Sequence, residues 1–140
     1  MRTSTLLLIP LMLTACAPFA SFPTPVTVTA QDVPPAANAI AGIIRLRLPP
    51  GQEILRVESP SDETGRAIRE ELVRVLQIQG YRIEDNPRAA HRIGFTVMPL
   101  KAGALLTVTI DGGTAATLLA RDAGGAMVLA SGLSFREALP

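Results

Sequence analysis

The 140-residue chain has few of the residues that most often carry chemistry, because it contains one cysteine, one histidine and no tryptophan. The single cysteine, Cys16, can form neither an internal disulfide nor a multi-thiolate metal site. The single histidine, His91, precedes a predicted strand, and no second histidine is present to complete a zinc site. Aromatic residues make up only 4% of the chain, so a base-stacking surface is poorly supplied. We therefore interpret His91 as a solvated or packing residue and predict no metal site.

Charge and glycine patterns do not indicate an enzyme or a nucleic-acid partner. The 13 basic and 12 acidic residues are mixed, without the basic stripe that nucleic-acid binding requires. The adjacent carboxylates at 70–71 lie on a predicted helix, where neighbours diverge by about 100°, and those at 84–85 lie in a predicted turn. The glycine pairs at 112–113 and 124–125 lack the lysine and serine of a phosphate loop. We predict no catalytic residues, no cofactor and no small-molecule substrate.

The most informative segment is the N-terminal run that ends at Cys16. Arg2 supplies a positive charge, residues 6–13 are apolar, and the small residues Thr14 and Ala15 precede the cysteine. An apolar stretch of about eight residues suits a signal peptide and is far below the roughly 20 residues that span a bilayer. The pattern resembles the bacterial lipobox. That resemblance implies attachment of lipid, including palmitate-type acyl chains, to Cys16, and signal cleavage between Ala15 and Cys16.

The lipobox sets the expected organisation of the chain. We predict a lipoprotein signal peptide at 1–15, a lipidated, proline-rich tether at 16–35 and a periplasmic domain at 36–140. Two or more acyl chains give a stable membrane anchor. Because Ala17 and not aspartate follows the cysteine, enteric-type sorting favours the outer membrane, at its periplasmic face. Val26 and Val28 leave a second interpretation of the tether open, namely a strand that adds to a partner's sheet.

Periodicity predicts two helices in the first part of the domain. The first runs over about 35–48, with Asp32 as a possible cap, and ends at Pro49-Pro50-Gly51. The second runs over about 63–79, capped by Ser61 or Asp62 and ended by Gly80, with Glu70 and Arg74 as a surface pair. Short strands are expected at 52–57 and 81–83.

The second part of the domain changes to a period of two, which indicates strands. Strands are expected at 93–98, 106–110, 114–121 and 127–131, with turns at 99–103, at Asp111-Gly112-Gly113 and at 122–125. The run 115–120 is weakly polar, so either both its faces are covered or one edge meets a partner. The end of the chain carries Phe135 and Leu139, which dock on the chain's own sheet or on a neighbour. The fold expected is α+β, a small two-layer sandwich of two helices packed on an antiparallel β-meander.

The order of these parts resembles the TrbH family of conjugal transfer lipoproteins. The likeness comes from the lipobox, the tether, the helix containing Ala39-Ile40-Ala41-Gly42, the helix that ends with Leu76 and Gly80-Tyr81, and the glycine-punctuated meander. It implies a non-enzymatic outer-membrane component of a conjugative type IV secretion, mating-pair-formation apparatus, with other envelope proteins as partners. The family implies no catalytic residues.

Two alternatives stay open at this point. One is another periplasmic scaffold or assembly lipoprotein, such as an outer-membrane biogenesis factor or a secretin-associated protein, since a helix leading into a glycine-tyrosine strand also occurs in secretin-type domains. The other is a lipid-tethered ligand binder or enzyme, which a deep polar cavity lined by several ionisable groups would support.

Overall fold

The computed structural model describes residues 27–86, 88 and 90–138. In this part of the chain a short 3-10 turn, Ala30–Asp32, leads into helix α1 (Val33–Arg47). A second helix, α2, spans Glu63–Ile78. The strands are β1 (Ile54–Val57), β2 (Arg82–Ile83), β3 (His91–Leu100), β4 (Gly103–Ile110), β5 (Gly113–Arg121), β6 (Met127–Leu129) and β7 (Ser134–Arg136). The predicted signal peptide, Cys16 and most of the predicted tether lie outside the described residues.

Helix α1 begins two residues earlier than predicted, at Val33. Pro34 and Pro35 occupy its first turn, where the missing N–H groups cost no helical hydrogen bond. It ends where Leu48 leaves helical geometry while its N–H still bonds the Ile44 carbonyl at 2.8 Å. Asp32 stands at the N-cap position, but its carboxylate does not cap the helix and is used elsewhere, as described below.

Helix α2 follows its sequence signals closely. The Asp62 carboxylate accepts a hydrogen bond from the Gly65 amide at 2.7 Å, which confirms the predicted cap. The helix stops at Gly80, whose φ of 96° is the left-handed conformation that glycine adopts without strain. The Tyr81 amide then bonds the Leu76 carbonyl at 3.0 Å, and the chain turns into β2.

The strands form one curled, mixed sheet with the order β2-β1-β3-β4-β5-β6, and β7 pairs with β5. The α+β class is thus confirmed, and the antiparallel meander is present from β3 to β6. The prediction of a wholly antiparallel sheet is corrected, because β1 pairs in parallel with both β2 and β3. For β1 and β2 the reason is topological: α2 carries the chain back along the sheet between them, and such a strand–helix–strand crossover gives parallel strands.

The two long hairpins show how local residues set the register. Asp111 (φ 49°) and Gly112 (φ 86°) both have positive φ, the conformation that a two-residue hairpin turn requires. The turn predicted at 99–103 is shorter than expected, because Leu100 already pairs with Gly103. Pro99 therefore lies within β3 and not in the turn.

The core lies between the helices and the inner face of the sheet. Its fully buried side chains include Ile40 and Ile44 of α1, Leu72 of α2, and Leu106 and Val108 of β4. In the run 115–120 one face is buried, at Ala115, Thr117 and Leu119, whereas Leu118 on the other face is 40% exposed. The prediction that both faces are covered is therefore corrected to burial of one face, and β6 and β7 pair along the strand's outer edge. None of the helices in the described residues is long and apolar enough to cross a membrane.

The C-terminal segment docks on the chain's own sheet. Strand β7 pairs with β5, placing Phe135 opposite Ala115. The Phe135 ring is 44% exposed and lies under the Arg47 guanidinium, 4.9 Å from its centroid, a favourable cation–π arrangement. Leu139 lies outside the described residues.

Candidate docking site at an open strand edge

The residues predicted for lipid attachment and signal cleavage, Cys16 and Ala15, lie outside the described residues, so both assignments stay predictions. The structure does place the ionisable residues considered in the sequence. In the part of the chain that it describes, no group of three or more His, Cys, Asp or Glu side chains is arranged to hold a metal ion.

His91 is an ion-paired residue and not simply a solvated one. Its Nε2 lies 2.8 Å from Glu53 and its Nδ1 lies 2.5 Å from Asp111. Because each carboxylate oxygen is an acceptor, this geometry favours the doubly protonated ring. The hydrogen bond to Asp111 raises the pKa of His91, and the bond to Glu53 raises it further. Burial lowers the pKa of His91, but the net direction is upward. The cluster ties the loop before β1 to the β4–β5 turn, which is a structural role.

The adjacent carboxylates do not converge on a common point. Arg74 pairs with Glu71, three residues away, and not with Glu70 as predicted. Glu84 pairs with Arg82 at 2.7 Å. These groups are on the surface, and each contact is local.

A buried ion pair fixes the start of the domain to the sheet. Asp32 is 1% exposed, and both its oxygens meet the Arg121 guanidinium, at 2.8 and 2.7 Å. The same carboxylate accepts the Thr29 amide at 2.7 Å. The hydrogen bonds from Arg121 lower the pKa of Asp32 to about 2, against the opposite effect of burial. Arg121 also reaches the Thr27 carbonyl at 3.4 Å, so the C-terminal part of the predicted tether is held against β5.

The surface feature with the clearest binding chemistry is the edge of β3. On one side β3 pairs with β4 along residues 93–100. On the other side β1 covers only residues 91–93, and no other described strand pairs there. About five residues, 95–99, therefore form an open edge within the described structure.

The hydrogen-bonding direction along this edge follows from two observed bonds. The Arg92 carbonyl accepts a hydrogen bond from the Asp111 amide, on the β4 side. The Ile93 carbonyl accepts one from the Glu58 amide, on the β1 side. Since backbone groups alternate along a strand, the N–H and C=O groups of Phe95 and Val97 point to the open side, with the Pro99 carbonyl. Pro99 costs β3 no hydrogen bond to β4, because the N–H that proline lacks would have faced the open side.

The edge is open because the chain leaves it at Pro60. After Glu58 bonds Ile93, Pro60 directs the chain into α2 and away from β3. Pro60 packs directly on Gly65 in the first turn of α2, where a Cβ would lie 2.5 Å from the Pro60 Cβ. A glycine at position 65 thus permits the close turn after which no described strand lies beside residues 95–99 of β3.

A groove of about 430 Å³ borders the open edge. Phe95 and Val97 line one wall, Pro60 and Ile68 line the wall formed by the start of α2, and Val28 lies where the chain enters the domain. The lining is mainly apolar and the groove is open to solvent. A strand added at β3 would direct alternate side chains into it.

This edge was missed in the sequence, although two signals for it are present. A proline inside a strand pattern is tolerated at an edge, so Pro99 in β3 was such a signal. The break at Ser59-Pro60, directly after a four-residue strand, was the other.

A scan against models of protein families, a search of curated proteins and a search of solved structures each found no match.

Proposed function

We propose that this protein is an outer-membrane lipoprotein of TrbH type, a structural component of a conjugative type IV secretion apparatus, and that its domain docks by receiving a partner's strand at the edge of β3. The observation that carries the proposal is the open edge at Phe95 and Val97, beside the point where the chain following Cys16 enters the domain. An unpaired edge is a template for another strand.

The available backbone groups set the expected strength of docking. Two N–H groups and three C=O groups face the open side, and each new hydrogen bond contributes about 0.5–1.5 kcal/mol net. Their sum, roughly 2.5–7.5 kcal/mol, is comparable to or smaller than the loss of translational and rotational freedom on association, about 4–15 kcal/mol. Apolar burial in the groove must supply the rest, so affinity in solution should be modest.

A lipid anchor compensates for modest affinity. Confining two proteins to one membrane raises the effective concentration of each for the other, as a linker does for two joined modules, so an interaction of modest affinity is sufficient. The anchor predicted at Cys16 and the edge of β3 thus support a single function, which is to hold an envelope complex together. No catalytic step is required.

The anchor is tested by Cys16→Ser in the full chain. We expect loss of fatty-acid labelling and release from the membrane fraction, because serine cannot form the thioether. Unchanged labelling and fractionation would show that the lipobox interpretation is wrong.

Docking is tested by Val97→Pro, which removes an N–H that bonds no other residue in the described part of the chain. Val97→Thr is the matched control, because it keeps the amide and the β-branched shape. In cells that express the whole transfer system, we expect Val97→Pro to lose co-purification with the envelope complex while its thermal unfolding stays close to that of the control. Retained co-purification of a folded Val97→Pro variant would contradict strand addition.

The β1–α2–β2 unit, in which Gly80 and Tyr81 connect α2 to β2, favours one alternative, a secretin-associated or other periplasmic assembly lipoprotein. The same anchor and the same edge would serve it. The partner captured by a photocrosslinker at the exposed Thr96 separates the two: conjugation proteins support the proposal, and secretin or outer-membrane assembly proteins support the alternative. Transfer-ATPase and pilus genes beside the gene for this protein would also support the conjugation proposal.

A further inference from the structure

A second groove lies between α1 and the β6 end of the sheet. In the sheet, β4 and β5 separate β3 from β6, so this groove is distinct from the open edge of β3. Its volume is about 350 Å³. One wall is the face of α1 next to the core, and the other is formed by β6 and the segment that follows it. The apolar side chains of the lining are Ala39, Ile43 and Leu46 on α1, and Leu129 and Leu133 opposite.

The groove exposes apolar surface that the fold does not bury. Leu46 is 72% exposed and Leu129 is 63% exposed. Leu129 pairs across the strands with Leu119, which is 3% exposed, so its side chain continues the core's apolar surface beyond the sheet. Together with the nearly buried Ile43, these leucines form an apolar strip that runs from the core into the groove.

Gly42 lowers the floor of the groove. It lies inside α1, where glycine is about 1 kcal/mol less favourable than alanine. A Cβ built at Gly42 meets no atom within 4 Å, so packing within the described structure does not require glycine there. A small residue at this position lets another backbone approach the helix closely, as in close helix–helix packing.

The charge in the groove has one sign. Arg45 is the charged side chain of its lining, and it is exposed. Among the described carboxylates none forms an ion pair with it, whereas the neighbouring Arg47 pairs with Glu137 at 3.5 Å. A ligand with an acidic group beside an apolar face would complement this lining.

We infer that this groove binds a short amphipathic helix of a partner protein, with an Asp or Glu opposite Arg45. From Asn38 to Leu46 the α1 wall is about 12 Å long, which matches two to three helical turns with apolar residues at positions i, i+3 or i+4, and i+7. The groove is concave, whereas insertion into a bilayer requires a protruding apolar surface. The inference concerns a different surface from the edge of β3, and it holds whichever envelope assembly the protein serves.

The test uses photocrosslinkers at Leu46 and at Leu129 in the full-length, anchored chain. Ile78, equally exposed at 72% but located on α2, is the matched control position. We expect both groove positions to crosslink one acidic helical segment of one protein, at residues three, four or seven apart, and Ile78 not to do so. Crosslinks to lipid, to a second copy of this chain or to unrelated segments, or none from the groove, would overturn the inference.

A synthetic peptide of the crosslinked segment then gives the binding constants. Gly42→Leu should weaken binding at least tenfold by filling the groove, while Gly42→Ala, which adds one methyl group, should keep most of it. Arg45→Glu should also weaken binding at least tenfold, more at low salt than at high salt, because like charges then face each other. Since Gly42→Leu raises helix propensity, its thermal unfolding should not fall below wild type. Full binding by Gly42→Leu and by Arg45→Glu would overturn the inference.

Discussion

Replacing Asp32 by asparagine should destabilise the domain and remove part of its sensitivity to acid. Asparagine keeps the shape of the side chain but loses the negative charge that faces Arg121. The pair is nearly enclosed, with the Asp32 side chain 2% exposed and contacts of 2.7 and 2.8 Å to the guanidinium. Because the partners are 89 residues apart, the pair joins the start of the domain to β5.

The expected loss of stability follows from the pKa of Asp32. Its fall from 3.8 to about 2 is a difference of almost two pH units, and each unit corresponds to about 1.4 kcal/mol. The ionised carboxylate therefore stabilises the fold by roughly 2 kcal/mol at neutral pH. Since the pKa is lowered on folding, this stabilisation is complete above pH 4 and is lost as the pH falls toward 2.

The assay is urea unfolding of the mature chain carrying Cys16→Ser, with and without Asp32→Asn, at pH 7 and across pH 5 to about 2. We expect a loss of about 2 kcal/mol at pH 7, or about 8 °C in Tm for a domain of this size. The difference between the two proteins should shrink as the pH falls. Glu84→Gln, which breaks the exposed pair with Arg82, is the control and should change little. Equal stability at pH 7, or a difference that does not depend on pH, would refute the reasoning.

Three further changes test other parts of the fold. His91→Asn should destabilise the domain most at low pH, and the destabilisation should fade as the pH rises through the raised pKa of His91. Urea unfolding at pH 5.5 and at pH 9 measures this change. A destabilisation that grows with pH would contradict the ion-paired cluster. Gly103→Ala should destabilise by about 3 kcal/mol in the same assay, because its methyl group overlaps the Leu119 carbonyl, whereas Gly132→Ala meets no atom within 4 Å and should be neutral. Leu72→Ala, in the fully buried core, should cost about 2–5 kcal/mol, and a loss below 1 kcal/mol would contradict its placement.

The helices and hairpins were predictable because their signals are local. The Asp62 cap acts on an amide three residues away, and Gly80 ends α2 through its own φ. Asp111 and Gly112 form the turn between β4 and β5 by their own conformations. In each case the residues that determine the structure are neighbours in the chain, so a pattern within a short window is sufficient.

The sites were less predictable because their parts are distant in the chain. His91 meets Glu53 and Asp111 only after β1, β3 and the β4–β5 turn come together, across 38 and 20 residues. The sequence around Asp32 predicts a helix cap, since nothing near it in the chain indicates Arg121. The sequence around Pro99 predicts a turn, because the tolerance of a proline in β3 depends on which side of that strand has no described neighbour.

The sequence by itself determined the expected lipid anchor at Cys16, the two helices and the α+β class. These depend on composition, periodicity and short-range capping. Only the tertiary structure decided that β1 joins the sheet in parallel and stops at Val57, leaving the backbone of Phe95 and Val97 open beside a groove. The physical reason is that strand pairing is a long-range choice: the edge exists because α2 takes the chain away at Pro60, and no local pattern reports which strand then remains without a neighbour.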